Sequence, residues 1–256
     1  MRILISNDDG IASEGLRALA AEFSKAHEVY IAAPWHEQSG MAHALNVHRP
    51  IEVEEMPGVA LELGAVAAWR IAGTPTDSVK LFLEALMDPN RPVDLVLSGI
   101  NRGANLATDV LYSGTVGAAM EGFLHDLHAA AISLDIDADY PYTLAAELVR
   151  PFLERAVDGA AAPQFLNVNF PQRLASTAFA VSRLGKRDYE NAFQQDVRDD
   201  GRIFYTVAGK IVDSDNGPHT DLYTVEHGGI SVTPLHADLT DYAAIEESRS
   251  EESASF

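Results

Sequence analysis

Two adjacent carboxylates, Asp8 and Asp9, follow directly on the bulky apolar run at the start of the chain. The run is typical of a buried strand, and the turn from Asn7 to Gly10 allows neighbouring side chains to converge. Converging carboxylates repel each other unless a positive charge lies between them, and proteins often hold Mg²⁺ through such carboxylates together with water and phosphate oxygens. The turn indicates either a divalent metal site or a solvated Asx turn that caps the next helix, and both interpretations stay open on these residues alone.

Two further polar loops stand where predicted strands end. Pro34–Met41 follows one such strand and Ser98–Asn105 follows another. Loops at the carboxyl ends of parallel strands share one edge of the sheet, so their polar side chains can meet in one crevice. Carboxylate, hydroxyl and amide oxygens would give a cation an all-oxygen shell, which favours Mg²⁺, Mn²⁺ or Ca²⁺ over zinc. We therefore predict one divalent ion, Mg²⁺ or Mn²⁺, with the ligands Asp8, Asp9, Ser39 and Asn101.

The segment Tyr112–Gly117 opens a predicted helix and offers hydroxyl groups and first-turn backbone N–H groups. The positive end of a helix dipole suits a phosphate. The alternative is an ordinary Ser/Thr N-cap with glycines for close packing, and the segment on its own favours this alternative.

The histidines give weaker signals. His36 could be a general acid, but a loop histidine is more often a solvated polar residue. His125 and His128 stand three apart on the predicted helix without a zinc-type pattern, which indicates surface residues. Glu121 on the same helix either orients a loop or is solvated.

Strand and helix patterns alternate through the first two thirds of the chain, which predicts an α/β fold with a parallel sheet covered by helices on both faces. The apolar spacing predicts helices after Ser13, after a capping box at Thr74–Asp77, over Val116–Phe123 and over Thr143–Val157. The predicted strands are Ile3–Ser6, Glu28–Pro34, Val93–Ser98, Ala129–Leu134 and Phe165–Asn169.

Beyond about Ala175 the pattern changes to short β-prone stretches separated by polar segments that contain glycine, which is typical of hairpins. These stretches are Phe179–Ser182, Ile203–Ala208, Tyr223–Val225 and Ile230–Pro234. The end of the chain is acidic and rich in serine, and it has too few apolar residues to order itself. We predict three parts: a catalytic core over 1–175, a hairpin arm packed on it over 176–243 and a disordered acidic tail over 244–256.

Charge limits the partners of the chain. The sequence has 18 Lys and Arg against 38 Asp and Glu, a net charge of −20, which opposes long nucleic acids and acidic membranes. A small phosphate ester can still bind where a metal ion and backbone N–H groups supply positive potential. The chain has no cysteine, which excludes disulfides and a cysteine nucleophile. It also lacks an apolar run of membrane-spanning length and a signal-peptide pattern, and we predict a cytoplasmic protein.

Several common catalytic motifs are absent from the sequence. No G-x-G-x-x-G follows a strand, and neither a Walker A sequence nor a G-x-S-x-G elbow occurs. A dinucleotide oxidoreductase, a P-loop ATPase and a serine hydrolase are therefore disfavoured.

In order along nearly the whole chain, a set of segments resembles the survival protein SurE family of metal-dependent 5′/3′-nucleotidases. The segments are Ile3–Gly10, Ala33–Pro34 with Gln38–Gly40, Gly73–Asp77, Leu97–Asn105, Tyr112–Ala119, Asn167–Pro171 and Ser231–Leu235. The resemblance implies a Rossmann-like three-layer core with a C-terminal β-hairpin arm exchanged between subunits, in a homodimer or homotetramer. It also implies hydrolysis of small nucleoside 5′- and 3′-monophosphates, with the same metal ligands that the loops indicate.

The resulting mechanistic prediction is phosphomonoester hydrolysis with Asp8 and Asp9 as catalytic residues that hold the metal. The residues expected to bind the phosphate are Asn105, Ser113, Gly114 and Thr115. Attack by water and a covalent aspartyl-phosphate route both remain open. A non-catalytic module that binds nucleotide and metal for regulation is the alternative from another functional class.

Overall fold

The structure, a computed structural model, describes residues 1–254. Its strands are β1 (Arg2–Ser6), β2 (Glu28–Pro34), β3 (Val53–Glu55), β4 (Ala67–Ile71), β5 (Leu95–Arg102), β6 (His128–Leu134), β7 (Phe165–Phe170), β8 (Phe179–Val181), β9 (Lys186–Glu190), β10 (Phe193–Val197), β11 (Ile203–Val207), β12 (Lys210–Asp215) and β13 (Ile230–Leu235). Its α-helices are α1 (Glu14–Phe23), α2 (Pro57–Leu63), α3 (Pro75–Leu81), α4 (Gly114–Leu124), α5 (Tyr142–Asp158), α6 (Asp221–Glu226) and α7 (Tyr242–Ala254). A π-helical turn, Phe82–Leu86, extends α3, and a 3-10 turn, Ala107–Leu111, precedes α4.

One nine-stranded sheet organises the fold, in the order β3-β4-β2-β1-β5-β6-β7-β13-β8. The strands β4, β2, β1, β5, β6 and β7 are parallel, whereas β3 and β13 run antiparallel to β4 and β7. Chain order along the parallel strands reverses between β1 and β5. In such a sheet the crevice beyond the carboxyl ends of these two strands is the usual ligand-binding position. The predicted α/β fold with a mainly parallel sheet is confirmed.

Helices cover both faces of the sheet, because successive residues of its strands point to opposite sides. Ile3 and Ile5 of β1 belong to one buried cluster with apolar residues of α1 and α5, while Leu4 packs with residues of α3 on the other face. The helices pair in the same way, α1 with α5 and α3 with α4. The core is therefore a three-layer α/β/α arrangement, and its central strands are buried on both faces.

Some local predictions differ from the structure. The segment with β3, α2 and β4 was not predicted. Strand β4, Ala67–Ile71, is short and contains Arg70, so it lacks the continuous apolar run of a buried strand. Its place in the sheet comes from pairing with β2. Tyr223–Val225, predicted as β-prone, lies inside α6, where the Thr220 hydroxyl accepts from the backbone N–H of Tyr223 at 3.1 Å. His128, predicted on a helix, is the first residue of β6.

The region predicted as the arm divides into two parts. The strands β8 and β13 belong to the main sheet, whereas β9 pairs with β12 and β10 pairs with β11 in two separate antiparallel sheets. The C-terminal hairpins therefore extend over residues 186–215, a shorter span than 176–243. Strand β13 extends the core sheet by pairing with β7, and β8 is the edge strand beyond it.

The last segment was predicted as a disordered tail over 244–256. The structure describes a helix over Tyr242–Ala254, and residues 255 and 256 lie outside the described residues. The difference has a local cause, since alanine and glutamate have high intrinsic helix propensity. Within residues 1–254, no helix combines the length and apolar character required to cross a lipid bilayer.

Candidate metal and phosphate site

Asp8 and Asp9 lie in the crevice at the carboxyl ends of β1 and β5. Ser6, the last residue of β1, pairs in register with Ser98 of β5. Across this junction the backbone N–H of Arg102 donates to Asp9 Oδ2 at 3.0 Å. The turn after β1 is therefore fixed against the end of β5, as the sequence analysis predicted for these two loops.

Asp8 is a nearly buried carboxylate, with 7% of its surface exposed. The Thr115 hydroxyl donates to Asp8 Oδ1 at 2.5 Å, and the Gln38 backbone N–H donates to the Asp8 carbonyl oxygen at 2.7 Å. The pKa of Asp8 is raised to about 6, mainly by burial; the hydrogen bond from Thr115 acts to lower it and the charge of Asp9 acts to raise it. A positive charge beside Asp8 would therefore stabilise its ionised form.

Asp9 is less buried than Asp8 and has a similar electrostatic environment. Burial raises the pKa of Asp9, the backbone N–H of Arg102 lowers it, and the charge of Glu37 raises it. The two adjacent carboxyl groups thus both have raised pKa values. A divalent cation bound to their oxygens would lower both values.

Asn101 and Ser39 supply the other predicted ligand atoms. The Asn101 side-chain amide nitrogen donates to the carbonyl oxygen of Gly103 at 2.7 Å, which leaves the amide oxygen as the atom suited to a cation. The Ser39 hydroxyl donates to Glu37 Oε1 at 2.7 Å, and Ser39 neighbours Gln38, which is bonded to the turn after β1. The donor set is all oxygen and carries two carboxylates, which fits a hard divalent cation.

The N-terminus of α4 adjoins Asp8. The Ser113 hydroxyl caps the helix by accepting from the Val116 N–H at 3.1 Å. A Cβ atom at Gly114 would lie 3.0 Å from Asp8 Oδ2, closer than ordinary packing allows. The backbone N–H of Thr115, a first-turn donor without an intrahelical partner, also lowers the pKa of Asp8. The positive end of this helix is therefore directed at the crevice.

Asn105 completes the group of predicted phosphate ligands. Its side-chain nitrogen donates to the Ser133 hydroxyl at 2.9 Å and lies 3.5 Å from the Thr115 hydroxyl. Its backbone is held by two buried residues of β7, Asn167 and Asn169. No role for these two asparagines or for Ser133 was predicted from the sequence. The sequence does contain a sign of such a role for Asn167 and Asn169, because they are polar residues two positions apart in an otherwise apolar strand. Residues so spaced point to the same face of the sheet.

Glu121 orients a loop, which was one of its two predicted roles. It is 3% exposed, and its Oε2 lies 2.7 Å from His43 Nε2 in the loop after β2. The same loop closely approaches α4, since a Cβ atom at Gly117 would lie 2.1 Å from the Ala42 carbonyl oxygen. The loop that carries Ser39 is therefore attached to α4.

A second cluster of potential metal ligands comprises Glu84, Glu121 and His125, whose ligand atoms lie within 4.8 Å of one another. The Lys80 ammonium group donates to Glu84 at 2.6 Å and to Glu121 at 3.1 Å. The positive charge that these carboxylates require is thus supplied by the chain itself. None of the four predicted metal ligands belongs to this cluster.

An open cleft of about 430 Å³ lies at the carboxyl ends of β2 and β4, next to the crevice. The Arg70 guanidinium lies over the Trp35 ring nearby, 3.7 Å from its centroid. The cleft is lined by Trp35, His36, Gln38, Asn46, Ile71, Ala72 and Gly73. His36 is exposed at its rim, in agreement with its interpretation as a solvated loop residue.

Comparison with known proteins gives consistent matches. A family model described as survival protein SurE matches residues 3–191. A 5′-nucleotidase SurE of Heliobacterium modesticaldum is 42% identical, over 96% of this chain and 90% of the relative. The corresponding protein of Pelotomaculum thermopropionicum is 44% identical, over 96% of this chain and 93% of the relative. The crystal structure of the SurE protein from Aquifex aeolicus superposes with a TM-score of 0.81 at 30% identity and covers 98% of this chain and 100% of that one.

Proposed function

The chain belongs to the survival protein SurE family, and from that premise we propose that it is a metal-dependent nucleotidase that hydrolyses nucleoside 5′- and 3′-monophosphates to nucleoside and phosphate. Relatives at 42% and 44% identity bear the name 5′-nucleotidase SurE. The crevice at the switch point of the sheet has the chemistry that this activity requires.

The observation that carries the proposal is the position of the Thr115 hydroxyl. It donates to the Asp8 carboxylate at 2.5 Å and lies 3.5 Å from the Asn105 side-chain nitrogen. One short chain of contacts therefore joins the paired carboxylates, the positive end of α4 and an amide donor. Carboxylates for a cation thus stand beside N–H donors for an anion, which is the arrangement that a phosphate ester bound through a metal needs.

The ligands proposed for one divalent ion, Mg²⁺ or Mn²⁺, are Asp8, Asp9, Ser39 and Asn101. Such an ion, when bound, polarises a phosphate oxygen and helps to orient an attacking water molecule. The net charge of −20 makes local positive charge necessary for any anionic substrate. The raised pKa values of Asp8 and Asp9 support a cation between them.

The protein's own groups bind and orient the phosphate. We assign this role to Asn105, Ser113, Gly114 and Thr115, at and beside the first turn of α4. Developing negative charge on phosphate oxygens is stabilised by donors that are fixed before the reaction begins. The Ser113 cap and the hydrogen bond from Asn105 to Ser133 supply that fixation.

We place the nucleoside in the cleft lined by Trp35 and Ile71, because it begins at the loop that is bonded to the carbonyl oxygen of Asp8. Its volume of about 430 Å³ lies in the range of small-molecule sites. The half-buried Trp35 indole offers apolar surface, and the side chains of Gln38 and Asn46 offer polar groups.

We further propose a homodimer or homotetramer in the cytoplasm, assembled through the hairpins. On one face of the β10/β11 hairpin, apolar side chains alternate in register and are exposed: Phe193, Val197, Ile203, Tyr205 and Val207. A two-stranded ribbon with an uncovered apolar face is marginal in water and gains stability from a second subunit.

A panel of nucleotides tests the activity. Adenosine and guanosine 5′- and 3′-monophosphates are incubated with the protein and Mg²⁺, Mn²⁺, Co²⁺ or Ca²⁺, and phosphate release is measured. The proposal predicts release with at least one transition or alkaline-earth cation and none without it. Retained nucleotide binding without release under any condition would instead show a regulatory binding module.

A further inference from the structure

Two polar residues lie in the interior of β7, where the strand is otherwise apolar. Asn167 and Asn169 are both 0% exposed and point to the same face of the sheet, two positions apart. They lie on a central strand, between β6 and β13. A buried amide without partners is costly, so two of them in one strand require a specific set of hydrogen bonds.

Those bonds converge on the backbone of a single residue. The Asn105 backbone N–H donates to Asn169 Oδ1 at 2.8 Å, and Asn169 Nδ2 donates back to the Asn105 carbonyl oxygen at 3.1 Å. Asn167 Nδ2 donates to the same carbonyl oxygen at 2.9 Å. The backbone N–H and carbonyl of Asn105 are thus both hydrogen-bonded to side chains of β7, and the carbonyl oxygen accepts two of these bonds.

The side chain of Asn105 faces the proposed phosphate site. Its amide nitrogen reaches the Ser133 hydroxyl and approaches the Thr115 hydroxyl that is bonded to Asp8. The residues on either side of Asn105 belong to an irregular connection between β5 and the 3-10 turn, which has no ladder pairing of its own along residues 103–106. The position of the Asn105 amide therefore depends on the side chains of β7.

We propose that Asn169, supported by Asn167, is a positioning residue for the reaction, which fixes Asn105 so that its side-chain amide donates to the substrate phosphate. This inference rests on the proposed phosphatase function, and neither asparagine contacts the metal ligands or the substrate. Removal of Asn169 takes away the partner of the Asn105 backbone N–H and one of the two donors to its carbonyl oxygen, and Asn167 remains as the other donor. The loop then gains freedom to move. Removal of Asn167 eliminates only one of two bonds to the carbonyl oxygen, so its effect should be of the same kind and smaller.

The test uses the full-length variants Asn169→Ala and Asn167→Ala, with Val168→Ala as the matched control. Val168 is also 0% exposed and lies between them on the opposite face. Measurements are kcat and KM for a nucleoside monophosphate, the metal concentration for half activation, thermal stability, and the affinity for inorganic phosphate by calorimetry. Outer-shell substitutions commonly cost roughly 10- to 100-fold. We expect Asn169→Ala to raise KM and weaken phosphate binding by about tenfold, with the metal midpoint unchanged.

A double-mutant cycle separates positioning from simple loss of stability. If Asn169 acts through Asn105, Asn169→Ala should change phosphate affinity far less in an Asn105→Ala background than in the wild type. Val168→Ala should lower stability while KM and phosphate affinity stay at wild-type values. Additive effects in the cycle, or an Asn169→Ala variant with wild-type KM and phosphate affinity, would overturn the inference.

Measurement of phosphate binding distinguishes failure of the proposed nucleotidase function from failure of the inference about Asn169. A wild-type protein that binds phosphate in calorimetry but releases none from nucleotides would contradict the proposed function, and the Asn169 comparison would still be decided by affinity. If Asn169→Ala fails to fold, Asn167→Ala and Asn169→Ser are compared in the same assay, and unchanged affinity in both overturns the inference.

Discussion

Asp8 combines burial, a hydrogen bond and a neighbouring like charge. It is nearly buried, it accepts from Thr115, and its neighbour Asp9 carries a second carboxylate. Such a group is held ionised at a free-energy cost unless a cation stands beside it. The site therefore depends on the contact between Asp8 and the N-terminus of α4 and on the groups that would share a cation with Asp8.

Gly114 tests that geometry. A Cβ atom there would lie 3.0 Å from both Cβ and Oδ2 of Asp8, so Gly114→Ala must displace the carboxylate by a few tenths of an ångström. Small displacements of catalytic groups cost on the order of tenfold or more in rate. We expect a folded variant with kcat/KM reduced by about tenfold. Gly58→Ala is the control, because a Cβ atom at Gly58 meets no atom within 4 Å. Equal activity of the two variants would contradict the proposed contact.

The assignment of Asn101 as a ligand and of His36 as a solvated residue gives a paired prediction. Asn101→Ala should raise the metal concentration needed for half activation, because it removes one oxygen ligand, while His36→Ala should keep most of the activity. The metal dependence of the rate measures both. A His36→Ala variant that is slowed roughly a hundredfold with unchanged metal affinity would identify His36 as a general acid.

At the scale of elements, the site is assembled by three strand ends, one helix start and a loop attached to that helix. The loop after β2 is attached to α3 and α4 by hydrogen bonds from Asn46 to Asp77 and between His43 and Glu121. Glu121 also forms an ion pair with Lys80, which pairs with Glu84 as well. Glu121 Oε1 lies 3.6 Å from His125 Nδ1. Burial raises the pKa of Glu121, but hydrogen bonds from His43 and Lys80 outweigh it and hold the pKa below 4.5.

This lowered pKa predicts how stability depends on pH. A carboxylate with a lowered pKa in the folded state stabilises the fold above its unfolded pKa near 4.5, and the contribution is lost as pH falls through the folded value. Glu121→Gln should unfold at a lower temperature than wild type at neutral pH, and the gap should narrow as pH falls from about 5 to about 3. Thermal unfolding across this range measures it, with the exposed Glu147→Gln as control. A constant gap would refute the role of the Glu121 charge.

The elements that sequence patterns predict best are those with long apolar runs. The strands β1, β2, β6 and β7 and the capping box of α3 agree with prediction, because burial on both faces imposes a continuous apolar pattern. Strand β5 was also predicted, but it extends to Arg102, so Asn101 lies in the strand and not in the predicted loop Ser98–Asn105. Strands β3 and β4 were not predicted, because they form through pairing with neighbouring strands and have no distinctive local sequence pattern. The ligand loops were located from strand ends alone, whereas the roles of Asn167 and Asn169 depend on contacts to residue 105 that no local pattern encodes.

For the whole molecule, the strong negative charge and the exposed hairpins set the interactions with other molecules. The charge of −20 disfavours polyanions, and in the proposed function the cation and the N-terminus of α4 would supply the positive potential for the substrate. The β10/β11 hairpin exposes apolar side chains, with Val207 78% exposed and Phe193 65% exposed. The proposed assembly would use this face, whereas β13 belongs to the core sheet.

The assembly proposal predicts a change of mass with a single substitution. Val207→Asp introduces a charge into the apolar face and should shift the protein toward monomer while the core stays folded. Leu61→Asp is the control, because Leu61 is 86% exposed on α2, away from the hairpins. Light scattering at micromolar protein gives the masses. A wild-type protein that is already a monodisperse monomer would refute the assembly proposal and leave the crevice unaffected.

We propose that Asp8 and Asp9 hold a divalent cation that is required for hydrolysis of nucleoside monophosphates. The most direct test of this proposal is phosphate release from adenosine 5′-monophosphate by wild type and by Asp9→Asn, each with Mn²⁺ or Mg²⁺ and with excess EDTA. We predict that EDTA abolishes release by wild type, that the cation restores it, and that folded Asp9→Asn is slower by on the order of a hundredfold or more. Full wild-type activity in EDTA, or an Asp9→Asn variant within a few-fold of wild type, would contradict the account.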